Sequence, residues 1–321
     1  MRKKWETHMK HRNFRHLAIA LLWTLLSAAP ALAGSLTVTY LYNLSDFNGV
    51  VPYDSARVVL DEVNSESFVV SGGSIDIYNA SGMQVFHIDS DRELGGVYDA
   101  AVDETGNILL LTYKDGIYSI VTCNYRGEPY KSAALKNLPP EFEDFRPSRI
   151  AYRNGKLYLV SLTGMQVVVV DTEATFLVGY DFAALVVLSD QERADTGLGG
   201  FWVDHNDNMF YVIPALGKAY QCAPDGTASQ HGQRGSSAGK FGVPYGIATD
   251  RLGNQYITDK LRGAVMVYDK DFKFIKEFGF RGLRPGNLIV PNEIAIDTVN
   301  NRVYVSQMRH RGVNVYQLSY E

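Results

Sequence analysis

Short apolar segments alternate with turn residues along most of the chain, and residues 240–280 form one complete unit of this pattern. An apolar strand there ends at Asp250, a Leu-Gly-Asn turn follows, and further strands are predicted at residues 255–258, 265–268 and 274–278. Four short strands separated by turn residues predict one blade of a β-propeller. Because a single blade cannot bury both of its faces, one such unit predicts a ring of them.

The end of the first strand recurs along the chain. It reads Ile-Ala-Thr-Asp at Asp250, Ile-Ala-Ile-Asp at Asp297 and Ala-Ala-Val-Asp at Asp103. Weaker copies end at positions 61, 153 and 204, and the copy at 153 has arginine in place of the acid but keeps the Asn-Gly turn. Subtracting successive positions gives steps of 42, 50, 51, 46 and 47 residues, which is the length of a four-stranded blade. The six copies predict an all-β fold, a six-bladed β-propeller of four-stranded antiparallel blades.

The two ends of the repeat region complete each other. Blade six ends at residues 316–320 after only three predicted strands, and residues 36–44 form a strand that has no blade of its own. Pairing the two segments would tie the chain ends together and cover an open strand edge. We therefore expect the N-terminal strand to complete the last blade.

Residues 240–280 resemble the NHL repeat family. The matching features are Pro-x-Gly-Ile-Ala-x-Asp at residues 244–250, Gly-Asn at the first turn, and Val-x-Val-Tyr-Asp at residues 265–269. The resemblance implies a secreted NHL-type propeller that acts as a binding or scaffolding module. Bacterial NHL proteins of this plain kind resemble those encoded beside multihaem cytochromes, which implies an acidic electron-transfer protein as a partner.

The N-terminal region is of a different kind. Six basic residues precede an apolar run at residues 17–26, and Ala31-Leu32-Ala33 precedes Gly34. This order is typical of a secretory signal peptide, whereas the apolar run is shorter than the about 20 residues that span a membrane. We expect residues 1–33 to be a signal peptide and residues 34–321 to be the propeller. The expected location is periplasmic or secreted, with no stable membrane span after leader removal.

Charge is distributed unevenly over the expected mature chain. Residues 34–229 contain 12 basic and 26 acidic residues, net −14, and residues 230–321 contain 13 basic and 8 acidic residues, net +5. Many of the latter basic residues fall in loops that emerge on one face of a propeller, so we expect blades five and six to dock an acidic protein or another anionic partner there. Export excludes nucleic acid as the expected partner, and scattered solvated charge is the alternative. The predicted partner-binding residues are Arg234, Lys240, Lys260, Arg262, Arg281, Arg284, Arg309 and Arg311.

Aligning the inner strands identifies the residues expected around the propeller axis. Acid and base alternate on neighbouring blades, which predicts a salt-bridged collar around the channel. The alternative is a small polar ligand held by two arginines beside an open sector formed by two glycines. In blade order the aligned residues are Arg57, Asp99, Arg149, Gly200, Gly246 and Glu293.

Two classes of enzyme resemble NHL propellers, but neither residue set can be carried over. Amidating lyases that cleave peptidyl-hydroxyglycine use a zinc bound by histidines near the axis, where this chain has none. Lactonases of the gluconolactonase type hold a divalent metal with Glu, Asn and Asp, and the best remnant here is Asn292 and Glu293 with Asp99, Asp54 being nearby. The collar arginines compete for these carboxylates. We therefore expect no catalytic residue, metal or cofactor, and keep a metal-dependent propeller enzyme with a channel site as the alternative function.

Cysteine and histidine positions support no further chemistry. Cys123 and Cys222 are predicted in third strands of non-neighbouring blades, too far apart for a disulfide. The absence of Cys-x-x-Cys-His excludes covalent c-type haem. No pair of histidines in the mature chain has metal-ligand spacing.

Overall fold

In the computed structural model, which describes residues 36–89 and 94–321, the predicted apolar segments are β-strands. The predicted signal peptide, residues 1–33, lies outside the described residues. Residues Thr37–Ser319 form one compact unit. Its main elements are six four-stranded antiparallel sheets, so the prediction of a six-bladed β-propeller is confirmed.

The first half of the chain contains a leading strand, a small hairpin and blades one to three. The leading strand is β1 (Leu36–Asn43), and the hairpin pairs β2 (Ser45–Asp46) with β3 (Gly49–Val50). Blade one consists of β4 (Arg57–Asp61), β5 (Glu66–Ser71), β6 (Ser74–Tyr78) and β7 (Gln84–Ile88). Blade two consists of β8 (Gly96–Val102), β9 (Ile108–Lys114), β10 (Ile117–Cys123) and β11 (Pro129–Ala134). Blade three consists of β12 (Arg149–Arg153), β13 (Lys156–Ser161), β14 (Gln166–Val170) and β15 (Phe176–Asp181).

The second half contains blades four to six. Blade four consists of β16 (Phe201–Val203), β17 (Met209–Ile213), β18 (Lys218–Cys222) and β19 (Ala228–His231). Blade five consists of β20 (Pro244–Thr249), β21 (Gln255–Asp259), β22 (Ala264–Tyr268) and β23 (Phe274–Phe278), within one residue of the predicted bounds. Blade six is built from β24 (Pro291–Asp297), β25 (Arg302–Gln307) and β26 (Val313–Tyr320).

The N-terminal strand completes blade six, as predicted. Its sheet has the order β1-β26-β25-β24, with β1 at the outer edge. The amide of Leu44 donates to the carbonyl of Val313 at 3.0 Å. The Asn43 side chain donates to the Arg311 carbonyl at 3.0 Å and to Asn314 Oδ1 at 2.9 Å. The two ends of the repeat region are therefore joined by backbone and side-chain hydrogen bonds.

The helices of the described residues are short and lie in loops between blades. A 3₁₀ helix (Pro140–Phe142) precedes blade three, and α1 (Phe182–Leu185) and α2 (Asp190–Ala194) precede blade four. The Ser189 side chain and Glu192 form a capping box at the start of α2, which satisfies amides that the helix leaves unpaired. Over the described part of the chain, none of the helices has the length and apolar character that crossing a bilayer requires.

The apolar core lies between neighbouring blades. One cluster joins Phe68 of blade one to Leu110 of blade two, and another joins Phe210 of blade four to Ile257 of blade five. Because each sheet is covered on both faces by its neighbours, the middle strands are apolar at consecutive positions, as in the fully buried β22.

The recurring aspartate of the sequence pattern holds the first turn of its blade. Asp250 Oδ1 accepts from the amides of Leu252 and Asn254, both at 2.9 Å, and Oδ2 accepts from Asn254 Nδ2 at 2.8 Å. Blade three, which has arginine here, turns instead through Asn154 and Gly155, whose φ angles of 51° and 73° lie in the left-handed region. The repeat motif is therefore a turn-forming device.

The meander of each blade defines two faces of the propeller. We call the side on which the inner strands begin the upper face; it carries the loops between blades and those between second and third strands. The lower face carries the turns between first and second strands. The inner strands line the central channel that connects the two faces.

Candidate functional site

The predicted collar begins with an ion pair between blades one and two. Arg57 Nη1 donates to Asp99 Oδ2, and Arg57 Nη2 donates to the carbonyl of Ile150 at 2.9 Å. The amide of Ile150 donates to Asp99 Oδ2 at 2.7 Å. Arg57 therefore reaches from blade one past blade two to blade three, close to the axis.

The second collar arginine crosses the channel. Arg149 Nη2 lies 3.5 Å from Glu293 Oε1, and its Nη1 donates to the Ser148 carbonyl at 3.2 Å. Blades three and six are opposite each other in a six-membered ring. The alternation seen in the sequence therefore produces one ion pair between neighbouring blades and one across the axis.

Burial controls the electrostatics of the collar. Burial raises the pKa of Asp99, with Arg57 and Arg149 opposing the change. Burial also lowers the pKa of Arg57, and Asp99 counteracts that shift. For Arg149 burial acts in the same direction, but Glu293 and Asp99 outweigh it and raise the pKa. Asp99 Oδ1 is buried and has no hydrogen-bond partner within the described ranges.

The two collar glycines do not form an open sector. A Cβ atom on Gly200 would lie 2.7 Å from the Cα of Gly246, and one on Gly246 would lie 2.5 Å from the Asn292 carbonyl oxygen. The Gly200 amide donates to the Tyr245 carbonyl at 2.7 Å. Glycine is present because the inner strands of blades four, five and six approach too closely for a side chain. At these two positions the predicted open sector therefore corresponds to a close contact between inner strands.

The lactonase-like remnant is only partly assembled. Asn292 and Glu293 are adjacent and nearly buried, but Glu293 faces Arg149. Asp54 lies on an exposed loop, where its Oδ1 accepts from the Arg309 amide at 2.8 Å. Over residues 36–89 and 94–321, no group of three or more His, Cys, Asp or Glu residues is placed to hold a metal ion. The collar carboxylates are instead bound by guanidinium groups.

The eight predicted partner-binding residues lie in upper-face loops but differ in their contacts. Arg281, Arg284 and Arg309 are exposed. Arg234 donates to the carbonyls of residues 214 and 215, and Arg262 donates to those of residues 235 and 237. Arg262 also lies 3.5 Å from the Glu277 carboxylate. These two arginines therefore hold loops in place, although Arg234 is also exposed, whereas Arg281, Arg284 and Arg309 face solvent. The remaining members of the set, Lys240 and Arg311, are half-buried.

Lys260 occupies a distinct position between the basic loops and the collar. Its Nζ lies over the ring of Tyr245, 3.1 Å from the ring centroid. Burial lowers the Lys260 pKa to about 8, with Glu293 opposing the shift. An amine in this position forms a cation–π contact and is the one predicted partner-binding residue that reaches toward the channel.

Sequence reasoning missed two features of the site. The first is a set of exposed apolar side chains within the basic loops: Leu261 is 59% exposed, Phe280 57% and Leu283 72%. Apolar residues could be seen within the predicted loops of the sequence, but whether their side chains are exposed depends on the fold. The second is a cavity of about 480 Å³ in the lower part of the channel, lined by the inner strands of blades one to four and six and by the turns that follow the first three of these strands.

The two cysteines lie in the third strands in which they were predicted. Cys123 and Cys222 are free, buried and located at the ends of the third strands of blades two and four. Burial raises the pKa of each thiol to about 11, so neither is poised as a thiolate nucleophile. His87 lies in the outer strand of blade one, and His231 ends β19.

The architecture defines the chain as a six-bladed propeller, and comparison with solved structures gives neighbours of the same fold. A protein of unknown function from Bacteroides thetaiotaomicron has a TM-score of 0.65 at 12% identity, covering 89% of this chain and 77% of that one. Luciferin-regenerating enzyme has a TM-score of 0.58 at 11% identity, with coverage of 89% and 95%. Virginiamycin B lyase from Staphylococcus aureus has a TM-score of 0.55 at 12% identity, with coverage of 89% and 100%.

At these identities the likeness shows the fold alone. No protein-family model matches the sequence, and no curated protein sequence matches it. The neighbours include enzymes and proteins of unknown function, so the shared fold does not assign a role to this propeller.

Proposed function

We propose that the protein is a non-catalytic binding propeller of the cell envelope that docks an acidic protein through the upper face of blades five and six. The observation that carries the proposal is the composition of four loops, residues 232–243, 260–263, 279–290 and 308–312. Together they contain eight Lys or Arg residues and no Asp or Glu. A surface of one sign favours a partner of the opposite sign.

The apolar side chains within these loops support a protein as the partner. Phe280 and Leu283 flank Arg281 and Arg284, and all four are exposed. Arginine and aromatic residues are enriched at protein interfaces, and burial of such apolar groups supplies affinity that charge alone does not. An acidic partner with an apolar centre to its interface would match both features.

The rest of the upper face makes the docking surface directional. The loop of residues 135–148, which precedes blade three, contains three acids and two bases, and the loop with α2 contains three acids and one base. An acidic partner is therefore attracted to one half of the face and repelled from the other half. Such an arrangement sets orientation and association rate more than it sets affinity.

The kind of partner is suggested by the expected export of the chain together with the resemblance to NHL proteins encoded beside multihaem cytochromes. We propose a periplasmic or secreted location, in which an acidic electron-transfer protein of the cytochrome type is the first partner to assay. In that setting the propeller would position the partner and would carry no redox group of its own.

Site-specific photocrosslinking tests the docking surface. A photoreactive phenylalanine analogue at position 283, on the upper face, is compared in cells with the same analogue at position 252, on the lower face, where Leu252 is 55% exposed. We expect a crosslinked adduct with an acidic protein from position 283 and none from position 252. The adduct should decrease steeply as salt rises, because exposed charges are screened over about 10 Å at 0.1 M.

Charge reversal supplies the second arm of the test. The variant with Arg281, Arg284 and Arg309 changed to Glu should lose the adduct while folding normally, since these side chains are exposed. The matched control reverses three exposed basic residues in turns between third and fourth strands, Arg126, Lys270 and Lys273. Equal adducts from the two triple variants, or equal adducts from positions 283 and 252, would overturn the proposed docking surface.

A further inference from the structure

We propose that the lower part of the central channel is a binding site for a small organic cation with an aromatic or apolar body. The site is independent of the docking surface, because it opens on the opposite face of the propeller. Its elements are a closed upper end, apolar walls with an indole ring, and an acidic mouth.

The collar closes the upper end of the cavity. Arg57 lines the cavity and is held there by Asp99 and by the Ile150 carbonyl. Above it, Arg149 reaches across the axis to Glu293. A ligand therefore enters from the lower face, and the Arg57 charge that it would meet is already neutralised by Asp99.

The walls suit an apolar body. They include Val58, Leu60 and Ala151, together with Phe201 and Trp202 of blade four. The cavity volume of about 480 Å³ is within the range of about 300–1,000 Å³ that small-molecule sites have. These apolar side chains offer burial to a single aromatic or branched aliphatic group.

The indole of Trp202 is held in a defined orientation. Its Nε1 donates to Thr249 Oγ1 at 3.1 Å, so its one polar group is satisfied and its ring remains available to the cavity that it lines. Among aromatic side chains, tryptophan gives the strongest cation–π attraction. A positive group near this ring would be favoured over a neutral one.

The mouth of the cavity is strongly acidic. Asp61, Glu62, Asp103 and Glu104 line it, against the single base Arg153. For Asp103, hydrogen bonds from Asn107 and Thr105 outweigh the effect of burial and lower the pKa, which keeps this carboxyl charged at neutral pH. Counted from the recurring position that ends each first strand (61, 103, 153, 204, 250 and 297), the six turns contain eight acids and two bases in total, so the lower face around the mouth is negative overall.

The contacts of these carboxylates favour an organic cation over a metal ion. Asp61 Oδ1 accepts from two turn amides at 3.0 Å and Oδ2 accepts from Asn64 at 2.7 Å. Glu62 Oε1 accepts from the amide and hydroxyl of Thr298 at 2.7 and 2.8 Å. Oxygens already used in turns are poorly placed to replace the hydration shell of a metal, but their charge still attracts a cation whose own hydration is weak.

The intrinsic fluorescence of Trp202 reports on the cavity directly. The chain has three tryptophans, and the other two, Trp5 and Trp23, lie in the expected leader. In the full chain carrying Trp5→Phe and Trp23→Phe, Trp202 is the only indole. Three probes of similar shape are titrated: the cation benzyltrimethylammonium, the neutral neopentylbenzene and the anion phenylmethanesulfonate.

We expect a saturable change in Trp202 fluorescence with the cation, at least about threefold weaker binding of the neutral probe, and no saturable binding of the anion. Ala151→Phe should abolish the change by filling the cavity. Glu104→Gln, at an exposed position, should weaken the cation by about twofold and leave the neutral probe unchanged, while Glu143→Gln on the upper face should alter neither.

Three results would overturn the proposal. They are no saturable change with any probe, an anion affinity equal to that of the cation, and equal cation affinities in Glu104→Gln and Glu143→Gln. Because both glutamates are exposed, these comparisons do not depend on a core substitution folding correctly.

Discussion

Closure of the ring by the N-terminal strand can be tested with a single side chain. Leu44 follows β1 and is completely buried in the cluster between blades six and one, with Tyr53, Val58 and Val313. Its amide and carbonyl bond to Val313 and Val51 at 3.0 and 3.1 Å. Leu44→Ala keeps these backbone bonds and removes only the buried part of the side chain.

The expected cost is that of a buried leucine in a well-packed core. Leu→Ala changes in such sites lower the free energy of unfolding by about 2–5 kcal/mol, because lost burial and a residual cavity add together. For a protein of this size each kcal/mol shifts Tm by about 2–4 °C. With a central value of about 3 kcal/mol, the midpoint should therefore fall by about 6–12 °C.

Thermal unfolding followed by far-ultraviolet circular dichroism measures this shift. Leu41 of β1 is 38% exposed, so Leu41→Ala makes the same chemical change and should cost no more than about 0.5 kcal/mol. Deleting residues 36–44 should lower the midpoint further and in a single transition, because an open edge destabilises the ring. If Leu44→Ala and Leu41→Ala unfold at the same temperature, or if the deletion unfolds like the whole chain, the strand does not close the ring.

Two further predictions concern the inner strands and an outer strand. Gly246→Ala should lower the free energy of unfolding by about 1–3 kcal/mol or more, since its Cβ would lie 2.5 Å from the Asn292 carbonyl oxygen. Gly96→Ala is the control and should be tolerated, because the atom nearest to its Cβ would be 3.8 Å away. Equal urea midpoints for the two variants would refute the close approach of the inner strands. Hydrogen bonds that the His87 ring donates to Asp76 and Asp89 raise the pKa of His87. The stabilisation by His87 is therefore complete below pH about 6.5 and is lost as pH rises through the folded-state pKa. Since His87 is partly exposed, we expect His87→Gln to lower the free energy of unfolding by no more than about 1 kcal/mol at pH 5.5 and by less at pH 8.5, as measured by urea titration. A larger loss at pH 8.5 than at pH 5.5 would contradict the predicted pH dependence.

The blade pattern was predictable because its causes are local. Asp250, Asn254 and the intervening glycine form a turn through hydrogen bonds between residues at most four positions apart. Such signals repeat with the blade, so they reveal blade number and strand order without knowledge of the fold. The spare strand at residues 36–44 followed from counting, because a closed ring leaves no blade with three strands.

The ion pairs of the collar could be predicted from the sequence only in part. The ring positions of Arg57, Asp99, Arg149 and Glu293 were predictable from the alignment, but the partner of each arginine was not. Side-chain length and the width of the channel decide that Arg149 reaches Glu293 across the axis. The same distances decide that Gly200 and Gly246 mark a close approach of strands and not an opening.

The sequence by itself determined the repeat, the number of blades, the closing strand and the separation of charge between the two parts of the chain. Each of these features follows from residues that are near one another in the chain or from counting repeats. Only the tertiary structure decided which of the basic residues are exposed, which apolar residues accompany them, and that Trp202 lines a cavity with an acidic mouth. These features depend on inner strands and loops that are about 40 to 50 residues apart in the chain and meet only when the ring closes. Burial and charge at such places are properties of the assembled propeller, and no single repeat contains them.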